Sequence, residues 1–95
     1  MISGKFHFDP DDLIYSSHFP SCPIVPGSVI IEGFVRVIKQ FEPALSRVQV
    51  KGFRFQSFVT PGTYTYQMEK KSIHYDCRLM TDDKIMAKGV ISCEA

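Results

Sequence analysis

Apolar residues along this chain change their period near residue 41. From Pro26 to about Phe41, Val29, Ile30, Ile31, Phe34, Val35, Val37, Ile38 and Phe41 cover nearly every face of a helix. A helix that is apolar all round is a buried one. Pro26 and Gly27 suit its first turn, where a missing N–H costs nothing, and Pro43 marks its end. Beyond it the period falls to 2. Val48, Val50 and Phe53 open one strand, and Tyr64, Tyr66 and Met68 alternate after a Pro61-Gly62 turn. Ile73, Tyr75, Cys77 and Leu79 alternate in a third, and Asp82-Asp83 turns the chain into a last strand from Ile85 to Cys93. Near the front, Phe6 and Phe8 mark a first strand within residues 5–8. One long buried helix followed by about four antiparallel strands predicts an α+β domain whose sheet wraps the helix. No repeat, linker or low-complexity stretch divides residues 1–95, so they are read as a single domain.

Composition narrows the classes of function. Hydrophobic residues at 44% and charged residues at 22% suit one small core that gains from burial against a partner. A helix on one face of a sheet leaves the sheet edges unpaired, and joining two such sheets edge to edge buries them. A homodimer or higher homo-oligomer is expected, with a heterodimer of paralogous chains left open. No apolar run is long enough to cross a bilayer, and the opening MISGKFHFDPDD lacks a signal-peptide pattern. Cys22, Cys77 and Cys93 are odd in number and lack CxxC spacing, which suggests free thiols in a reducing, cytoplasmic setting. A net charge of +1 without a basic, aromatic-interleaved stripe argues against nucleic acid as a partner.

The candidate chemistry lies in HFPSCPIVPGSVIIEG, where His18 in a Pro-rich loop stands fourteen positions before Glu32. An imidazole, a carboxyl group inside the apolar helix and the amides of a helix N-terminus are thereby supplied by one short segment. An unpartnered carboxylate in such a helix is expensive unless protonated or paired. Arg36 sits four residues after Glu32, so an ordinary surface ion pair reads equally well. His18 and Cys22 have metal-like spacing, but no second pair completes a site, and no metal is expected. His7 and His74 lie in strand-like segments and are read as decorating the sheet.

His18-Phe19-Pro20, then Pro23, Val25-Pro26-Gly27 and Glu32, resembles the active-site signature of hot-dog-fold 3-hydroxyacyl-acyl-carrier-protein dehydratases, the beta-hydroxydecanoyl-type and related fatty-acid enzymes. Residues 51–55, KGFRF, and 59–62, VTPG, extend the likeness more weakly. The resemblance implies a hot-dog fold, an antiparallel sheet wrapped around one long central helix. It implies dehydration of 3-hydroxyacyl thioesters to trans-2-enoyl thioesters, with His18 as base toward the alpha carbon and Glu32 as acid toward the hydroxyl. Such groups work best when they titrate near the operating pH. Phe19, Val25, Pro26 and Gly27 are then the substrate-binding residues, and Gly27 is the candidate backbone donor to the thioester oxygen, at a helix N-terminus whose dipole favours negative charge.

The same resemblance implies no cofactor beyond the phosphopantetheine of an acyl carrier protein, the expected partner, and an active site whose His and Glu come from opposite protomers. Acyl carrier proteins are acidic, so Arg36, Lys51, Arg54, Lys70 and Lys71 are candidates for a basic rim. Position 36 is commonly Gln in that family and is Arg here; direct pairing with Glu32 would weaken its use as an acid. Two other readings stay open: a hot-dog acyl thioesterase and a non-catalytic acyl-carrier-binding subunit.

Overall fold

The computed structural model describes residues 1–9, 11, 24–45 and 47–94. Strand β1 (Ile2–Phe8) precedes helix α1 (Gly27–Phe41), and β2 (Arg47–Phe55), β3 (Gly62–Lys71), β4 (His74–Thr81) and β5 (Lys84–Glu94) follow. The five strands form one antiparallel sheet in the order β1-β3-β4-β5-β2. This is the α+β arrangement that the change of period predicts. Strand β1 alternates as its sequence does, with Phe6 and Phe8 inward and Lys5 and His7 exposed.

Turn chemistry joins the strands where the sequence places it. Asp82 and Asp83 both take positive φ, 46° and 64°, a conformation aspartate tolerates because its short side chain bonds locally. Ser72 does the same before β4. Ile73, read as the start of the third strand, lies instead in this turn and is 63% exposed. The strand begins at His74, because the chain must reverse between Lys71 and His74, which are register partners.

Packing shows how the sheet wraps the helix. Phe34 of α1 meets Phe6 of β1 edge to face at 5.1 Å and Phe53 of β2 at 5.8 Å. Those two strands stand at opposite ends of the strand order. In a flat sheet they would be about 19 Å apart at the usual strand spacing. The sheet therefore curls until both edges reach the same helical side chain. Beneath Phe34, Ile30, Val37 and Ile38 are buried with Met68, Cys77, Leu79 and Ile91 from β3, β4 and β5.

One expectation about the helix needs correction. Its buried residues are Ile30, Phe34, Val37 and Ile38, a single stripe, while Ile31 and Val35 are half-buried and Phe41 is 59% exposed. Within one chain only one side of a helix can face a single sheet. The remaining apolar side chains thus lie on a flank that the described residues cover only in part. No helix among the described residues is long and apolar enough to cross a membrane.

Candidate active site

The start of α1 is fixed from outside the helix. Val25, 3% exposed, donates its backbone N–H to the Val59 carbonyl at 2.7 Å, which ties the approach to the helix to the segment between β2 and β3. Pro26 stands at the cap in an extended conformation, and its carbonyl accepts the N–H groups of Val29 at 3.0 Å and Ile30 at 3.3 Å. Among the described residues no side chain caps this terminus. The first N–H groups of a helix have no intrahelical acceptor, so Gly27 and Ser28 present the positive end of the dipole.

Gly27 has a local structural reason as well as the expected functional one. A Cβ there would stand 2.8 Å from Phe55 Cζ. The Phe55 ring, 44% exposed and stacked on Phe53 at 6.2 Å, takes the room that the missing side chain leaves. This contact with Gly27 is visible only once β2 is folded beside the helix terminus.

Glu32 departs from the buried carboxyl expected of an all-round apolar helix. Its side chain is 60% exposed, and Arg36 Nη2 donates to Oε1 at 2.9 Å. The ion pair read from the i,i+4 spacing is the arrangement present. Glu32 and Arg36 stand beside a groove of about 590 Å³ between β1 and α1, with Phe6, Val29, Gly33 and Tyr66 among its apolar walls. Gly33 brings the Phe6 ring against the helix, with Phe6 Cζ 3.2 Å from where a Cβ would lie.

Gly27 and Glu32 do not converge within one chain. Five helical residues separate them by about 7.5 Å along the axis and about 140° around it. His18 and Phe19 lie outside the described residues, as do Pro20, Cys22 and Pro23. Of the predicted site residues, the structure thus places Val25, Pro26 and Gly27 at one helix end and Glu32 on another face. Among the described residues no cluster of three His, Cys, Asp or Glu side chains is arranged to hold a metal ion.

The proposed basic rim separates into paired and unpaired members. Arg36 is held by Glu32, Lys70 by Glu42 at 2.8 Å and Lys71 by Asp76 at 3.1 Å, and Lys51 bonds Gln49 at 3.3 Å. Arg54 alone of the five makes no such contact among the described residues. Helix end and sheet are locked together by Glu42, which also accepts the Tyr75 hydroxyl. The hydrogen bond from Lys70, then that from Tyr75, hold its carboxyl below the ordinary value.

Comparison with known families gives a match to the ApeI-like family, described as ApeI dehydratase, over residues 1–90. Among solved structures, the dehydratase heterocomplex ApeI:P from Xenorhabdus doucetiae superposes with a TM-score of 0.84 at 22% identity, over 98% of this chain and 86% of that one. A hypothetical protein from Aquifex aeolicus gives 0.71 at 12% identity, over 99% and 96%. A mutant of the fluoroacetyl-CoA-specific thioesterase FlK, bound to fluoroacetate and CoA, gives 0.67 at 11% identity, over 99% and 89%. The sequence matches no curated protein at a significant level. These structural likenesses show the hot-dog fold.

Proposed function

The chain belongs to the ApeI-like dehydratase family, and from that premise we propose that it removes water from 3-hydroxyacyl thioesters carried on the phosphopantetheine of an acyl carrier protein. The observation that carries this reading is Glu32, a carboxyl group at a groove with both apolar and polar walls, on the second turn of a helix whose N-terminus no described side chain caps. His18 takes the proton from the alpha carbon, and the electron pair of the broken C–H bond forms the new double bond as the bond to the 3-hydroxyl breaks. Glu32 supplies the proton with which that hydroxyl leaves as water. The amide of Gly27 donates to the thioester oxygen while negative charge builds there.

An ionised carboxylate only accepts hydrogen bonds, so the acid role requires the Arg36 contact to open and Glu32 to take up a proton. A second reading rests on this same contact. With Glu32 engaged by Arg36, the chain serves as a non-catalytic acyl-carrier-binding subunit.

The two-protomer arrangement is part of the proposal. Gly27 and Glu32 face different directions, and β1 and β2 end the strand order among the described residues. Strand β2 carries exposed Val50 and Phe55, and Phe58, 79% exposed, follows it. We place a second chain there, either another copy or a paralogue, so that His18 and Gly27 of one chain face Glu32 of the other. A similar solved structure, the ApeI:P dehydratase of Xenorhabdus doucetiae, is itself a heterocomplex, which supports testing both. We also propose a cytoplasmic setting, supported by the free thiols of Cys77 and Cys93.

The test is intact-mass spectrometry of a 3-hydroxyacyl carrier incubated with the wild type, His18→Ala and Glu32→Ala proteins. Loss of one water, abolished by either substitution, is the expected result. Release of the acyl group would instead establish a thioesterase. An unchanged mass across several acyl lengths, alone and with a paralogous chain, would leave the binding subunit.

A further inference from the structure

The register of the sheet gathers cations that are far apart in sequence. Arg54 on β2 stands opposite Lys88 on β5, and Lys88 stands opposite Arg78 on β4. Neighbouring strands are about 4.8 Å apart, so three positive residues follow one another straight across the outer face, away from α1. Like charges directly opposite are unfavourable in an antiparallel pair. None of the three forms an ion pair among the described residues. The nearby Asp76 is already engaged by Lys71 at 3.1 Å and approached by His74 at 3.8 Å.

The face is also hollow at this place. The β2–β5 register shifts between Val50 and Gly52, and a Cβ at Gly52 would meet nothing within 4 Å. A depression of about 670 Å³ results, bordered by Arg54, Arg78, Lys88 and Lys71. We propose that this basic hollow docks the acidic surface of the carrier protein, an inference that rests on the acyl-thioester reading above.

Two features favour an acidic protein over a nucleic acid. Glu69 and Asp76 also border the hollow, and carboxylates there repel a continuous phosphate backbone. The cationic row spans only about 10 Å, two strand spacings, which suits a few carboxylates on one helix. Its position serves delivery. Arg54 ends the row on β2, and the next residue, Phe55, turns to the other face and packs on Gly27. A carrier seated on the hollow lies beside the strand that leads to the helix N-terminus.

The test is titration of an acidic acyl carrier protein lacking its phosphopantetheine, so that binding is read without the active site. An Arg78→Glu/Lys88→Glu double variant should weaken binding by about tenfold or more and flatten its salt dependence. Arg78→Gln/Lys88→Gln, milder for the fold, should weaken it less, and Lys39→Glu on the helix should leave it unchanged. Equal affinity in both double variants, or no binding by the wild type, overturns the docking site. So does a short oligonucleotide that binds with this charge dependence where the carrier does not. Turnover of a 3-hydroxyacyl thioester without a carrier reads the dehydratase separately and should be retained by the double variants. Charge-dependent carrier binding without turnover of either substrate would keep the docking site and discard the dehydratase.

Discussion

Arg36 Nη2 lies 2.9 Å from Glu32 Oε1, one turn along the helix, with both side chains exposed among the described residues. The contact engages a carboxyl oxygen of the candidate acid with the Arg36 guanidinium. Exposed i,i+4 pairs contribute little to stability, about 0.3–0.5 kcal/mol, so Arg36→Gln should shift a urea unfolding midpoint only slightly. Its effect on turnover should be larger and of opposite sign, a several-fold rise in kcat with KM nearly unchanged. Glu32→Gln should lose about 100-fold or more, the usual scale for removing a general acid. A fall in kcat for Arg36→Gln would show that the guanidinium takes part in binding or catalysis.

Glu42 links the end of α1 to β3 and β4 through Lys70 and Tyr75. The hydrogen bond from Lys70, followed by that from Tyr75, lowers the carboxyl from its ordinary value of 4.5. A carboxyl group lowered by folding contributes stability that is fully present above the unfolded value and is lost as pH falls through the folded one. The wild type should therefore lose melting temperature as pH drops below about 4.5, and Glu42→Gln should show a flatter acid limb. Tyr75→Phe, which removes the hydroxyl donor from a buried ring, should lower the melting temperature above the acid limb and less below it. Melting curves over a pH series check both.

Burial pushes the Cys77 thiol up to about 12, with the Asp76 carboxylate adding to the rise. Cys77 Sγ is also engaged by the Tyr75 carbonyl at 3.7 Å. Thiolate is the reactive form, so Cys77 should resist alkylation at neutral pH in the folded protein and react fully in denaturant. Cys93, raised chiefly by burial, should also be slow. Peptide mapping after a timed pulse of iodoacetamide distinguishes these sites; rapid native labelling of Cys77 would contradict the packing of β4 against the helix.

The elements were legible because each is written in a local period: 3.6 residues for the helix body, 2 for Tyr64-Tyr66-Met68, paired aspartates at the β4–β5 turn. Glu32 and Arg36 were legible as a pair because i,i+4 spacing is local too. What failed was anything set by the number of layers. The apolar residues on all faces of α1 implied burial of Glu32, but one sheet covers one side of a helix, and Ile31 and Val35 remain on its flank. Contacts across strands were equally hidden. Phe55 on Gly27 and the row Arg54, Lys88, Arg78 depend on register between segments more than twenty residues apart or on adjacent strands, which no window of sequence displays.

The two glycines at the β2–β5 irregularity offer a sharp check on that register. A Cβ at Gly89 would stand 2.3 Å from the Gly52 carbonyl oxygen and 2.4 Å from the Phe53 ring. The oxygen belongs to the backbone and cannot swing aside as a side chain can. Gly89→Ala must then push β2 away from β5, with a cost on the scale of overpacking, about 1–3 kcal/mol. At Gly52 a Cβ meets nothing within 4 Å, and a methyl group there restricts the unfolded chain. Gly52→Ala should therefore be neutral or stabilise by up to about 1 kcal/mol. Urea unfolding of the two variants measures the contrast between residues on facing strands. If both substitutions prove equally harmless, the close approach of β2 and β5 is wrong, and with it the alignment that sets Arg54 opposite Lys88.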